Sequence, residues 1–148
     1  MRFAVDSNVL VYAINRQAPL KRAIAQNIMS RGRLLDLVMS AQVIGEFLNA
    51  VRRKNEAAFP EAIELAATWS LLFPVAWTGP DHIVDGARRA ARHKLQYWDS
   101  VILEVARDSR AALFLTEDMQ DGATIDGVTI LNPFLPSNAS RLDALLER

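Results

Sequence analysis

The strongest constraint on this chain is an alternation. Short apolar runs, each stopped by polar residues, are separated by stretches with helical spacing. Residues 2–5 read as a buried strand halted by Asp6-Ser7-Asn8, ahead of the apolar segment 9–14. Residues 18–29 follow with Ala23, Ile24 and Ile28 on one helical face, and residues 34–39 return to strand character. Ser40 is placed to cap a helix over 41–54, whose Val43, Ile44, Phe47, Leu48 and Val51 trace a core-facing stripe. Pro60 opens a helix to about Leu72, and residues 73–77 form another apolar run. Thr78-Gly79-Pro80-Asp81 resembles a capping box, with Thr78 as the cap of a helix ending near Lys94. Tyr97-Trp98-Asp99 opens the next helix, residues 111–115 form a strand closed by Thr116-Glu117-Asp118, and a polar loop covers 120–127. A last strand over 128–131 and a small helix over 142–146 complete the chain. Strands alternating with helices mean a mostly parallel sheet of about five strands covered on both faces, a single α/β domain over 1–148.

Composition narrows the function classes. At 148 residues one domain is expected, large enough to need no disulfide, and the chain contains no cysteine. Thiol nucleophiles, zinc knuckles and iron–sulfur centres are thereby excluded. With 17 Lys+Arg against 17 Asp+Glu, bulk positive potential does not drive any binding to nucleic acid. No window approaches eighteen consecutive apolar residues, so no membrane span is expected, and the first residues do not form a signal peptide. A cytoplasmic protein is expected.

Four carboxylates occupy informative places. Asp6 and Asp118 each follow a strand, which puts both at the carboxyl edge of a parallel sheet, where α/β folds bind ligands. Glu46 interrupts the apolar stripe of its helix, and Asp99 stands at a helix start. Singly, Asp6 and Asp118 read equally as helix caps, Asp99 as an acid favoured by the helix dipole, and Glu46 as half of an ion pair with Arg52 or Arg53. Together they can converge, and converging carboxylates stay ionised only if something positive binds them. Hard cations such as Mg²⁺ or Mn²⁺ suit an all-oxygen site, and such sites serve phosphoryl chemistry.

These segments resemble the motifs of PIN-domain nucleases, specifically VapC-type toxins of toxin–antitoxin pairs. The motifs are Ala4-Val5-Asp6-Ser7-Asn8 with the following Val9-Leu10-Val11-Tyr12, Ser40 to Phe47 around Glu46, Leu95 to Ile102 around Asp99, and Leu115 to Gly122 around Asp118. The resemblance spans residues 4–122; beyond Gly127 it is only to a final strand and short tail, 128–148. It implies a metal-dependent endoribonuclease with Asp6, Glu46, Asp99 and Asp118 as catalytic metal ligands and Mg²⁺, or Mn²⁺, as cofactor. It places Ser7, Asn8 and Thr116 in support. Asp121 is either a ligand through water or a solvated loop acid, and Glu117 is assigned to solvent. The implied partners are an RNA substrate, a cognate antitoxin gripped by the helices over 18–31 and 59–72, and a second copy of the chain.

Other features carry weaker readings. Arg52-Arg53-Lys54, and Arg88-Arg89 with Arg92, His93 and Lys94, form two basic clusters that read as phosphate contacts or solvated helix faces. Trp69, Trp77 and Trp98 read as core or interface packing rather than base platforms. Two alternatives remain: a non-catalytic PIN-like module binding a partner or RNA, and a receiver-type phospho-acceptor domain. The receiver needs an acid beside Asp6, a later strand-end Ser or Thr and a later lysine; Asp6 has no acidic neighbour, and no lysine follows Lys94.

Overall fold

The computed structural model describes residues 1–147. In chain order its elements are β1 (Phe3–Val5), α1 (Ser7–Ile14), α2 (Pro19–Gly32), β2 (Leu37–Ser40), α3 (Ala41–Lys54), α4 (Phe59–Leu72), β3 (Val75–Ala76) and α5 (Pro80–His93). Then come α6 (Tyr97–Asp108), β4 (Leu113–Leu115), β5 (Thr124–Ile125), β6 (Val128–Leu131) and α7 (Ala139–Leu146). The strands form one sheet in the order β3-β2-β1-β4-β6-β5, parallel throughout except for β5 against β6. The five strands expected from the apolar runs are the parallel ones. The sixth, β5, lies in the polar loop, and its two residues are too few to show a strand period.

Central strands of a parallel sheet are covered on both faces, so they read as unbroken apolar runs. Accordingly Phe3, Ala4 and Val5 are all buried, as are all four residues of β2. From β1 the chain moves outward to β2 and β3, then returns to add β4 and β6 on the other side. The strand order therefore reverses between β1 and β4, which opens a crevice at their carboxyl ends. Asp6 and Asp118 stand there, beyond the paired ends Val5 and Leu115.

The helices α1 to α4 pack in a connected group, while α5 and α6 pack against each other and α6 lies over β2 and β6. The α5–α6 crossing is close because residue 86 is glycine: a Cβ there would stand 2.7 Å from Val101 Cγ2 and 2.9 Å from Val101 Cα. Ser100, fully buried, donates its hydroxyl to the Gly86 carbonyl at 2.8 Å. Between the helices Lys94 adopts the left-handed conformation (φ 53°), which reverses the chain sharply. These features fix the first turn of α6, where Asp99 sits.

Several local expectations change. Residues 7–14 are helical from Ser7, because Asp6 caps that helix. The cap of α5 is Gly79, whose N–H donates to His82 Nδ1 at 2.9 Å. Thr78 takes no part in it. The basic cluster on α5 is not one solvated face, since Arg89 is buried and donates to Glu104 of α6 at 3.1 Å. Its Nη1 also lies 2.7 Å from Asp126 Oδ2, and Arg107 donates to the other Glu104 oxygen at 3.0 Å. These arginines hold the Glu104 carboxyl below its usual pKa despite its burial. Trp69 is 7% exposed and belongs to the core, but Trp77 and Trp98 are 80% and 50% exposed.

Candidate active site

Asp6 is the centre of the acidic crevice. As N-cap of α1 it accepts the Ser7 N–H at 2.7 Å on Oδ1. Its Oδ2 accepts the Thr116 hydroxyl at 2.7 Å and the Asn8 amide at 3.2 Å. The side chain is nearly inaccessible, so burial pushes its pKa up from 3.8 to about 6. The Thr116 and Ser7 hydrogen bonds oppose that rise, and the negative charges of Asp118 and Glu46 add to it.

Thr116 is fully buried at the end of β4. Its oxygen also accepts the Asp118 N–H at 3.1 Å, so one hydroxyl orients both strand-end acids. Asn8 Nδ2 lies 3.1 Å from Thr116 Oγ1 and 3.1 Å from Asp118 Oδ2 as well as near Asp6. An amide nitrogen facing three oxygens fixes which way the Asn8 side chain points. That orientation leaves Asn8 Oδ1 buried without a partner.

Glu46 reaches the crevice from α3. It accepts the Ser7 hydroxyl at 3.3 Å on Oε2 and, on Oε1, the amide of Gln42 one turn earlier at 2.9 Å. It does not pair with Arg52 or Arg53. Asp99, half-buried in the first turn of α6, has the largest shift of the site, with a pKa pushed up from 3.8 to about 7. Burial is the main cause, followed by the charges of Asp6, Asp118 and Glu46. Asp99 thus feels all three other acids. The structure brings the four expected carboxylates into one electrostatic neighbourhood.

Two nearby acids are otherwise engaged. Asp121 Oδ1 accepts the Asn132 N–H and the Asn138 amide, both at 2.8 Å, tying its loop to the end of β6. Glu117 is not given to solvent: Tyr12 donates to it at 2.6 Å and Lys21 at 2.6 Å. Its backbone neighbour Asp118 is held in place by that bridge to α1 and α2. Gln42, Ser100, Gly86, Lys21 and Tyr12 all support the site, yet none carried a sequence signal beyond helical position.

The donor chemistry suits a hard divalent cation: four carboxylates, amides and hydroxyls, and no thiol or imidazole among the residues described above. Burial, with the neighbouring acids adding to it, raises the pKa values of Asp6 and Asp99, and Asn8 Oδ1 offers an acceptor to a water beside them. Among the described residues, no three of these acids already enclose a single ion. Their side chains would have to move to gather around one.

Similarity to known proteins follows the same outline. The chain resembles the VapC20 toxin of Mycobacterium tuberculosis, described as cleaving the sarcin–ricin loop, with a TM-score of 0.62 and 16% identity over 76% of this chain and 86% of that one. It also resembles a toxin–antitoxin complex from Klebsiella pneumoniae, with a TM-score of 0.60 and 18% identity over 88% of this chain and 96% of that chain. PAE2754 of Pyrobaculum aerophilum has a TM-score of 0.63 and 18% identity over 97% of this chain and 90% of its own. At such identities the likeness is one of fold. No curated protein matches the sequence. The PIN domain family, however, matches residues 3–120, the segment that carries β1 to α6, β4 and all four acids. With this match beside an acidic crevice at the β1–β4 reversal, the chain belongs to the PIN domain family.

Proposed function

We propose that this chain is a metal-dependent endoribonuclease, the toxin component of a toxin–antitoxin pair. The observation that carries the reading is the convergence of Asp6, Glu46, Asp99 and Asp118 at the reversal point of the sheet, with two of their pKa values raised to about 6 and about 7. Asp6, Glu46, Asp99 and Asp118 would hold Mg²⁺ or Mn²⁺. When bound, such an ion activates water and stabilises the leaving oxygen of a phosphodiester. Thr116 and Asn8 orient Asp6 and Asp118, Ser7 and Gln42 orient Glu46, and the Gly86–Ser100 contact sets the position of Asp99. Asp121 serves the loop behind Asp118. His82 is committed to the α5 cap and Asp108, and His93 is exposed at the far end of α5, so no imidazole is assigned to proton transfer.

The partner surface lies away from the acids. A cleft of about 420 Å³ between α1, α2 and α4 is lined by Ile14, Arg22, Met29, Leu65, Trp69 and Phe73. In this reading the cleft, on the helices over 18–31 and 59–72, takes an antitoxin segment with apolar side chains for its floor and charged ones for Arg22, Arg33 and Glu61. A second copy of the chain is the other proposed partner. Among the described residues no helix is long and apolar enough to cross a membrane. RNA and antitoxin place the reading in the cytoplasm.

The test is incubation of the purified chain with total RNA, with and without Mg²⁺, and mapping of the cleaved ends. Cleavage that requires the cation and disappears in Asp6→Asn and in Asp99→Asn supports the reading. Metal-independent cleavage, or full activity in either folded variant, overturns it.

A further inference from the structure

Asp118 stands on a loop, not on a helix or a strand. Residues 117–121 lie between β4 and β5 with no regular element of their own, and Asp118 is exposed. Its carboxylate accepts the Asn8 amide at 3.1 Å, and its N–H donates to the Thr116 hydroxyl at 3.1 Å. Past the loop the backbone is tied at Gly122, whose N–H donates to the Ile130 carbonyl at 3.0 Å. Between these points the loop takes its shape from two other acids, Glu117 and Asp121, each bonded outside the crevice.

Glu117, just before Asp118, is gripped by a closed triangle. Lys21 Nζ donates to Glu117 Oε2 at 2.6 Å and to the Tyr12 hydroxyl at 3.1 Å, and that hydroxyl donates to Glu117 Oε1 at 2.6 Å. Phe134, from the segment after β6, covers the triangle. Its ring meets Tyr12 edge-on with centroids 4.9 Å apart, and the Lys21 ammonium lies 4.5 Å from the Tyr12 ring and 5.5 Å from that of Phe134. Three residues after Asp118, Asp121 Oδ1 accepts the Asn132 N–H and the Asn138 side-chain amide, both at 2.8 Å. Asn138 is buried, and its amide also donates to the Asn132 carbonyl at 3.0 Å. Pro133 and Pro136 restrict the backbone between these contacts. Residues 132–138 therefore hold both flanks of the fourth acid. Stability alone does not account for the triangle: the Lys21 and Glu117 side chains are 39% and 22% exposed, and ion pairs so open add little to it. What the triangle fixes is a direction.

We propose that residues 132–138, with Lys21 and Tyr12, form a two-sided clamp that positions Asp118 as a cation ligand. The proposal rests on the metal-dependent reading and deepens it, because it names what sets the one ligand carried by a loop. With Glu117 and Asp121 both held, the loop presents the Asp118 carboxylate in one place; with either freed, it does not. Lys21, Phe134 and Asn138 are positioning residues that act through the loop. Groups that orient a ligand from behind are typically worth about 10- to 100-fold in metal affinity.

The test titrates the full chain with Mn²⁺ alone, without RNA, following free Mn²⁺ by electron paramagnetic resonance and metal-free stability by thermal melting. Lys21→Met, Phe134→Ala and Asn138→Ala should each weaken Mn²⁺ binding about tenfold, and Lys21→Arg should retain most of the parent affinity. Lys21→Met should leave the metal-free melting temperature nearly unchanged, a combination that a merely structural role does not produce. Asn138→Ala, which opens a buried bond, should melt lower. Asp118→Asn should bind Mn²⁺ more weakly than the parent, and no more weakly still when Lys21→Met is added. Parent-like affinity in the folded Lys21→Met and Phe134→Ala variants overturns the clamp, and so does a further loss in the double variant. Should Asn138→Ala fail to fold, the Lys21 and Phe134 variants decide it. A parent chain that binds Mn²⁺ but cuts no RNA removes the nuclease and leaves the clamp to these variants. A parent that binds no Mn²⁺ removes the cation site and the clamp with it.

Discussion

Thr116 and Asp6, separated by 110 positions in sequence, are joined by a buried 2.7 Å hydrogen bond from the threonine hydroxyl to the carboxylate. The same oxygen receives the Asp118 N–H at 3.1 Å, so a single hydroxyl sets two of the four acids. Thr116→Val keeps the shape and removes the donor. The Asp6 pKa should then rise further, because the bond that opposes burial is gone. Supporting groups of this kind are typically worth about 10- to 100-fold in metal affinity or activity. A Mg²⁺ titration of RNA cleavage should show that loss in Thr116→Val and near-normal behaviour in Thr116→Ser. Equal activity in all three proteins contradicts the assigned role.

The acids also make a pH signature. Asp99 is raised from 3.8 to about 7 and Asp6 to about 6, so between about pH 4 and 7 the folded metal-free protein binds protons that the unfolded chain has released. Their contribution to stability is therefore lost as pH rises through that window. In EDTA, Asp99→Asn should be more stable than the parent at pH 8, and the difference should shrink toward zero near pH 4. Mg²⁺ at pH 8 should raise the melting temperature of the parent and have little effect on the Asp6→Asn, Asp99→Asn double variant. Thermal scans across pH decide it; a parent that outlasts Asp99→Asn at pH 8 without metal contradicts the assigned charge crowding.

Gly86→Ala puts a methyl group 2.7 Å from Val101 Cγ2 and 2.9 Å from its Cα. Overpacking of this type costs about 1–3 kcal/mol, against the roughly 1 kcal/mol that alanine returns in helix propensity. A net loss should appear in urea denaturation. Cation affinity should fall as well, since α6 must shift and Asp99 moves with it. An alanine variant at least as stable as the parent, with unchanged affinity, would show that the crossing is looser than described.

Arg89 and Glu104 are both buried and paired, with Asp126 as a second acid for Arg89 and Arg107 as a second arginine for Glu104. Removing one leaves the other buried charge with only its outer partner, a loss of up to about 3–5 kcal/mol, whereas removing both costs less than the sum of the single losses. Arg89→Met and Glu104→Leu should each lower stability strongly in denaturant melts, and the double variant should sit well above the additive sum. Strict additivity contradicts the pairing.

The parallel sheet and the four acids were legible because the relevant signals are local. A short apolar strand ending just before Asp6, or just before Thr116 and the following acids, is visible within a short window. What was not legible depends on distant partners. Glu117 reads as a solvated acid until Lys21 and Tyr12, about a hundred positions earlier, close on it. Arg89 reads as one of a basic row until Glu104 meets it across the α5–α6 crossing. The cap of α5 moved from Thr78 to Gly79 because His82 supplies the acceptor, a role that the pattern gives to an acid. Which of Trp69, Trp77 and Trp98 enters the core was not legible, because hydrophobicity alone does not report which side of a helix or loop the fold leaves open.

The placement of β1 between β2 and β4 has a consequence for biosynthesis. Asp6 leaves the ribosome well before its partners: the strand that pairs with β1 on one side, the hydroxyl that orients its carboxylate, and Asp118 all arrive some 110 residues later. At about 5–20 residues per second this is a delay of roughly 5–20 s. During that interval the emerging polypeptide has no assembled centre, and a truncated product never acquires one. Whatever chemistry the four acids perform therefore cannot begin before Asp118 has been made.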